Sequence, residues 1–146
     1  GLARPGQSKL DNPTEEGVMS WSRSLEGFAR EVEETLTQRQ KEIAVFALQQ
    51  VIMGSPVDQG AYKGNHRVTV NGITLDYSLD LKDPNGQRTL MEGMQVIGAV
   101  SQPFGEVVIQ QNIPYGRKIE DGHSGQAPAG VYSVAFNSTH ERFRAQ

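Results

Sequence analysis

The longest regular pattern of apolar residues lies in the N-terminal half of the chain. Between residues 20 and 53, apolar positions recur at spacings of three, four and seven, as on one face of an amphipathic α-helix. These positions are Leu25, Phe28, Ala29, Val32, Leu36, Ile43, Phe46, Ala47 and Val51. A helix of about 30 residues is roughly 45 Å long, so we expect it to extend beyond its own core and to contact a neighbouring molecule.

A second pattern, of period two, follows this helix. Residues 73–81 alternate apolar and polar side chains, which predicts a β-strand with one buried face and one solvent-exposed face. Val68 and Val70 come before Asn71-Gly72, a pair that favours a type I′ hairpin turn. A further strand is predicted over residues 104–110. The sequence therefore predicts an antiparallel sheet of three or four strands.

Three shorter helices complete the predicted elements. Apolar spacing predicts helices over residues 89–100 and 115–121, the second ended by Gly122. A last helix is expected over residues 129–144, with Pro128 in its first turn. The expected fold is α+β, with the sheet packed against the long N-terminal helix and the further helices. Residues 1–19, polar and rich in turn formers, are expected to form a flexible N-terminal arm, and residues 20–146 a single domain.

Composition narrows the classes of function. The net charge is −3, with 14 basic and 17 acidic residues, so there is no excess of positive charge to bind the phosphates of nucleic acid tightly. There is no cysteine, which excludes disulfides, thiol nucleophiles and cysteine metal sites. No segment approaches the roughly 20 apolar residues of a membrane span, and the first residues lack the apolar core of a signal peptide.

Recognisable catalytic or metal-binding motifs are also missing. The three histidines, His66, His123 and His140, lie far apart in the sequence and form no ligand pair of metal-site spacing. Ser124 directly follows His123, but adjacent residues do not form a catalytic triad, since the base and the nucleophile must point at each other. No phosphate-binding loop motif occurs. We therefore expect no catalytic residues, no cofactor and no metal.

Two segments together resemble a known family. Residues 55–65 read SPVDQGAYKGN, and residues 111–130 read QNIPYGRKIEDGHSGQAPAG. In this order, after a long helix and before a C-terminal helix, they resemble the tail-completion, or neck, proteins of long-tailed bacteriophages. That family includes minor tail proteins of the lambda Z type and head–tail joining components. We call residues 55–65 the first motif and residues 111–130 the second motif.

The resemblance implies a structural protein of a phage or prophage virion, assembled in the host bacterial cytoplasm. Such subunits form a ring, expected here to be a hexamer, that completes the tail and joins it to the head. The implied partners are further copies of the chain, a tail terminator or tail tube protein and a head-completion or adaptor protein, with transient contact to passing DNA. A mildly acidic chain suits such a channel, because repulsion of phosphate favours sliding over binding.

The motif residues serve either to contact neighbouring subunits or to maintain the fold. The candidate interface residues are Pro56, Asp58, Gly60, Asn65, Asn112, Pro114, Tyr115, Glu120, Gln126 and Pro128. Two other classes of function stay open. One is a small phage-encoded hydrolase, which would need a cluster such as Glu120, Asp121 and His123 around a dry pocket. The other is an adaptor that binds one partner as a monomer.

Overall fold

A computed structural model of the chain describes residues 15–57, 60–103 and 105–144, with side chains described from residue 25 onward. The described residues form an α+β protein with a long N-terminal helix, as predicted. A single 3-10 turn, Lys63–Asn65, precedes the first strand. The other elements, in chain order, are α1 (Glu15–Met53), β1 (His66–Val70), α2 (Gln87–Gly98), β2 (Val107–Gln111), α3 (Gly116–Glu120) and α4 (Tyr132–Phe143).

The helix α1 has 39 residues and is therefore about 58 Å long. It begins at Glu15, five residues before the predicted start, so residues 15–19 belong to the helix and not to an arm. The rest of the predicted arm lies outside the described residues. Among the described side chains of α1, from residue 25 onward, the buried apolar ones lie in its C-terminal half: Ala44, Leu48, Val51 and Ile52. The helix thus extends beyond the core, as its length had indicated.

The core forms where α2 and α4 pack on this buried half of α1. Leu48 is fully buried, and a Cβ atom placed on Gly93 of α2 would lie only 2.4 Å from its side chain. Glycine at position 93 therefore lets α2 approach α1 closely. On the other side, the rings of Phe46 and Phe143 meet edge to face, with centroids 5.7 Å apart. These contacts fix both shorter helices to α1.

The sheet has two strands among the described residues, so the predicted three or four are not confirmed. The strands β1 and β2 pair antiparallel, with His66 opposite Gln111 and Val70 opposite Val107. We call this two-stranded sheet the ribbon. One face of the ribbon packs against the helical core, where Val68 and Ile109 contribute apolar contacts. The opposite face is polar, because the alternate positions include Asn65, Arg67, Gln110 and Asn112.

The predicted second strand of the hairpin is an irregular segment, residues 73–81, which we call the strap. It is held by side chains of the polar ribbon face and not by a backbone ladder. The Gln110 side chain accepts from Thr74 N at 3.1 Å and donates to Thr74 O at 2.6 Å. Asn112 Nδ2 donates to Thr74 O at 2.9 Å and to Asp76 O at 3.0 Å. Amide side chains thus pair with backbone groups of Thr74 and Asp76 that a neighbouring strand would otherwise satisfy.

The turn before the strap explains why no hairpin forms. Asn71 has a left-handed backbone with a φ of 60°, so the chain does turn there. However, the Asn71 N–H donates to Glu106 O at 2.7 Å, and Glu106 N–H donates to Asn71 Oδ1 at 2.7 Å. Asn71 therefore joins β1 to the start of β2, and the strap is directed across the ribbon face.

The shorter helices agree with the sequence more closely. The helices α2 and α3 fall within two residues of their predicted bounds, and Gly122 follows α3 with a φ of 88°. The last helix begins at Tyr132, three residues after the predicted start, so Pro128 lies in the preceding loop. In the part of the chain that the structure describes, no helix is long and apolar enough to cross a membrane.

Candidate functional site

The first and second motifs, far apart in the sequence, are joined directly in the structure. The side-chain amide of Gln126 bonds the backbone of Val57 twice: Oε1 accepts from Val57 N at 2.9 Å, and Nε2 donates to Val57 O at 3.2 Å. At the other end, Gln111 Nε2 donates to Tyr62 O at 2.8 Å. Gln126 therefore links the two motifs within one chain, which is the fold-maintaining role that the sequence had left open.

A pocket of about 400 Å³ lies between the two motifs, and we call it the motif pocket. Leu79 of the strap and Lys82 also contribute to its wall. Tyr62 is buried there, and burial, together with the negative charge of Glu120, raises the pKa of its hydroxyl. Four of the candidate interface residues line this pocket: Pro56, Gly60, Tyr115 and Gln126.

Glu120 supports the second motif from the end of α3. Its carboxylate accepts from the N–H groups of Val131 at 3.0 Å, Tyr132 at 2.9 Å and Ser133 at 2.8 Å. These are the unpaired donors of the first turn of α4. Burial alone would raise the pKa of the Glu120 carboxyl, but these backbone hydrogen bonds together lower it. Glu120 thus acts as a capping residue for α4, supplied by another element.

Asn65 supports the first motif and the strap at once. Its side chain is fully buried. Asn65 Nδ2 donates to Ala61 O at 2.6 Å and to Ser78 O at 2.9 Å, while Oδ1 accepts from Ser78 N at 2.8 Å. Asn65, directly before β1, and Asn112, directly after β2, therefore hold the strap from the same end of the ribbon. Both were predicted as interface residues, and both make these bonds within the chain.

The remaining candidate residues are more accessible. Pro114, Tyr115 and Pro128 are exposed, and Tyr115 combines a large apolar face with its position at the rim of the motif pocket. Asp58 lies outside the described residues. The structure therefore divides the candidates into side chains that hydrogen-bond other segments of the chain, residues that line the pocket, and exposed prolines. A role of either group in contacts between subunits stays a prediction.

A buried polar network beside the pocket was not predicted from the sequence. His66 Nε2 lies 2.6 Å from Ser55 Oγ, and His66 Nδ1 lies 2.7 Å from the Tyr132 hydroxyl. Ser55 Oγ also donates to the Val51 carbonyl at 2.5 Å. Since the single Ser55 hydrogen is used there, His66 Nε2 must carry a proton and donate to Ser55. His66 Nδ1 then accepts from Tyr132.

This assignment bears on the hydrolase alternative. In this hydrogen-bond arrangement the His66 nitrogen facing Ser55 donates, so His66 is not placed as a base for Ser55. Burial, with smaller contributions from the charges of Lys63 and Arg67, lowers the pKa of His66 to about 3. The other proposed cluster is solvated: Asp121 and His123 are exposed, and Asp121 pairs with Arg117 at 3.4 Å. Only the proximity of Ser55 and His66 in space, not their sequence pattern, reveals the network.

Two surfaces carry rows of large apolar side chains that are exposed to solvent. The first, the helix stripe, is the row Leu25, Phe28, Val32 and Leu36 on the protruding half of α1, with exposed fractions between 40% and 48%. The second, the strap face, is the row Ile73, Leu75, Tyr77 and Leu79, with exposed fractions between 42% and 81%. Its alternation is the predicted one, but the apolar side faces outward because the polar side meets the ribbon.

Comparison of this chain with family models, with curated proteins and with solved structures finds no match. The family resemblance therefore depends on the two motifs alone.

Across the described ranges, no group of three or more histidine, aspartate or glutamate side chains is arranged to hold a metal ion. The site's geometry thus consists of joined loops, a motif pocket open to solvent and two exposed apolar rows. Such surfaces are suited to packing against other proteins.

Proposed function

We propose that this chain is a structural subunit of the neck of a long-tailed bacteriophage or prophage. In this role, copies of the chain form a ring that completes the tail and joins it to the head, with DNA passing through. The proposed partners are further copies, the tail terminator or tail tube protein and the head-completion or adaptor protein. The proposal extends the resemblance of the two motifs to the whole chain.

The observation that carries the proposal is the exposure of the helix stripe and the strap face. Exposing a continuous apolar row to water is unfavourable by about 25 cal/mol for each Å². Isolated exposed apolar residues are common, but continuous rows usually mark surfaces that other proteins cover. A subunit that works only within an assembly would carry such rows, because its neighbours bury them.

The interior of the fold is compatible with this role. Three polar side chains are of types that often serve in catalysis: Ser55, His66 and Glu120. Here they form hydrogen bonds that fix loops and helix ends. The motif residues Asn65 and Gln126 similarly fix the motifs to each other and to the strap. Rigid loops favour assembly, because less conformational entropy is lost when subunits dock.

The direct test of this role is to delete the gene for this chain from the phage or prophage that carries it. We expect filled heads and complete tails that remain separate in electron micrographs, and joined particles when the wild-type gene is supplied in trans. An antibody against the chain should label the junction between head and tail. Normal joined particles from the deletion strain, or labelling elsewhere in the virion, would contradict the proposal. A Glu141→Gln strain, altered only at an exposed ion pair with Arg144, serves as the matched control.

A further inference from the structure

Among the described residues, neither the helix stripe nor the strap face is covered by another part of the chain. The stripe lies on the part of α1 that precedes the packed region, and the strap lies on the outer face of the ribbon. Each row remains at least 40% exposed, so neither is covered by the other within the chain.

The two rows match in length. Four residues of the stripe, from Leu25 to Leu36, extend about 17 Å along a helix that rises 1.5 Å per residue. Residues Ile73 to Leu79 can span at most about 20 Å, since a fully extended chain advances about 3.3 Å per residue. A helix laid along the strap would therefore place its whole apolar row over the whole apolar row of the strap.

The two rows together also supply the apolar area that an interface needs. If a large apolar residue has a full surface of about 200 Å², the exposed fractions correspond to about 340 Å² on the stripe and about 490 Å² on the strap face. A stable interface buries about 1,600 Å² in total, of which somewhat more than half is apolar. Together the rows therefore provide most of that apolar share.

Charge favours this pairing over contact between two helix stripes. Between Leu25 and Leu36, α1 carries Glu26, Glu31, Glu33 and Glu34 against a single Arg30. Two such helices side by side would bring these acidic groups together, and like charges repel. The strap itself carries Asp76 and Asp80, but basic residues lie beside both of them: Asp76 is paired with Arg67 of β1 at 3.4 Å, and Lys82 directly follows the strap. A stripe-to-stripe contact would also leave the strap face uncovered.

We propose that the helix stripe of one copy lies along the strap face of the next copy. This is a contact between two different surfaces, so repeated rotation by the same angle produces a closed ring or an open filament and not an isolated pair. Each copy would donate one helix and accept one helix, which covers both rows throughout a closed ring. The inference rests on the proposed function, since it specifies how the ring's subunits meet.

Disulfide cross-linking tests this contact, and the absence of native cysteine makes the result unambiguous. We would mix the variants Phe28→Cys and Leu75→Cys, differing in mass by a tag, and oxidise them under mild conditions. The mixed dimer is expected to exceed both homodimers by roughly tenfold, because docking holds the two thiols at a high effective concentration. Arg30→Cys, which lies on the opposite side of α1, mixed with Leu75→Cys is the matched control.

A dominant Phe28→Cys homodimer would overturn the inference in favour of pairing between helix stripes. A yield of mixed dimer no greater than that of the Arg30→Cys control would also overturn it. Both sites are exposed, and equal thermal unfolding of the reduced variants and the wild type would confirm that each is folded.

The molar mass of the unmodified protein separates this inference from the proposed function. If the protein forms rings but the mixed cross-link does not appear, only the inferred contact is wrong. If the cross-link appears but the protein forms only open chains, the proposed ring is wrong.

Discussion

At the scale of single residues, buried polar side chains determine how the loops are fixed. The network of Ser55, His66 and Tyr132 and the buried amide of Asn65 each connect segments that are distant in sequence. The sequence identified Asn65 and Glu120 as motif residues but not their hydrogen-bond partners. Those partners depend on which loops meet in space, and no local pattern encodes that. His66 was considered only as an isolated histidine for the same reason.

His66 should make stability depend on pH. In the folded chain its pKa is about 3, whereas an unfolded histidine titrates near 6.5. Between these values the unfolded chain binds the extra proton and the folded chain does not. The free energy of unfolding should therefore be greatest above pH 6.5 and fall by about 1.4 kcal/mol per unit as the pH decreases towards 3. Urea unfolding at a series of pH values measures this slope.

The variant His66→Gln separates this effect from the titration of carboxyl groups. It should be less stable at pH 7, yet its slope between pH 6.5 and 4 should be shallower than that of the wild type. His123→Gln, altered at an exposed position, should keep the wild-type slope. Identical slopes for the wild type and His66→Gln would mean that His66 is not held neutral in the folded chain.

Glu120 should contribute to stability as the cap of α4. Replacing it by alanine removes the acceptor for three backbone N–H groups, so we expect a loss of about 1–2 kcal/mol. Hydrogen exchange should become faster at the amides of residues 131–133. Glu141→Ala, which removes an exposed ion pair at the other end of α4, should cost less than about 1 kcal/mol. Equal losses from both variants would exclude the capping role.

At the scale of elements, the strap shows what periodicity can and cannot predict. The alternation over residues 73–81 correctly indicates a segment with one polar and one apolar side. It does not indicate which side faces the protein, because this depends on what lies beneath. Here the ribbon presents amide side chains from Gln110 and Asn112, so the polar side turns inward. The helix α2 was predicted more accurately, and its apolar residue Ile97 is buried in the core.

The amide side chains should hold the strap in place. Asn65→Ala removes four side-chain hydrogen bonds from a fully buried residue, three of them to backbone groups, and leaving the partner groups unpaired should cost about 2–4 kcal/mol. Asn112→Ala should cost less, because its bonds lie nearer the surface. Since the strap is held by these side chains, hydrogen exchange at residues 74–78 should accelerate in both variants. Unchanged exchange in Asn65→Ala would show that other contacts hold the strap.

The two halves of α1 should respond differently to substitution. Val32→Asp changes an exposed residue, so the free energy of unfolding of the monomer should change by less than about 0.5 kcal/mol. Leu48→Ala leaves a cavity in the core and should cost about 2–5 kcal/mol. Circular dichroism during thermal unfolding at low protein concentration compares them. A strong destabilisation by Val32→Asp would show that the stripe is covered within the chain.

At the scale of the whole molecule, the sequence predicted the α+β class, the long helix and the order of the shorter helices. It did not predict the two-stranded ribbon, because the pairing of β1 with β2 joins segments about 40 residues apart, with α2 between them. The two motifs were recognised as segments, and their connection through Gln126 appears only in the fold. The helix stripe and the strap face are the surfaces of this fold on which the proposed assembly depends.

The molar mass of the purified protein over a range of concentrations tests most directly whether other copies cover these rows. We expect a closed species with a mass that is a multiple of 16.0 kDa, near six copies, at high concentration. The Val32→Asp variant should remain a folded monomer under the same conditions. A wild-type protein that stays at 16.0 kDa up to about 1 mM would limit any self-association to weaker than about 4 kcal/mol and contradict the assembly role.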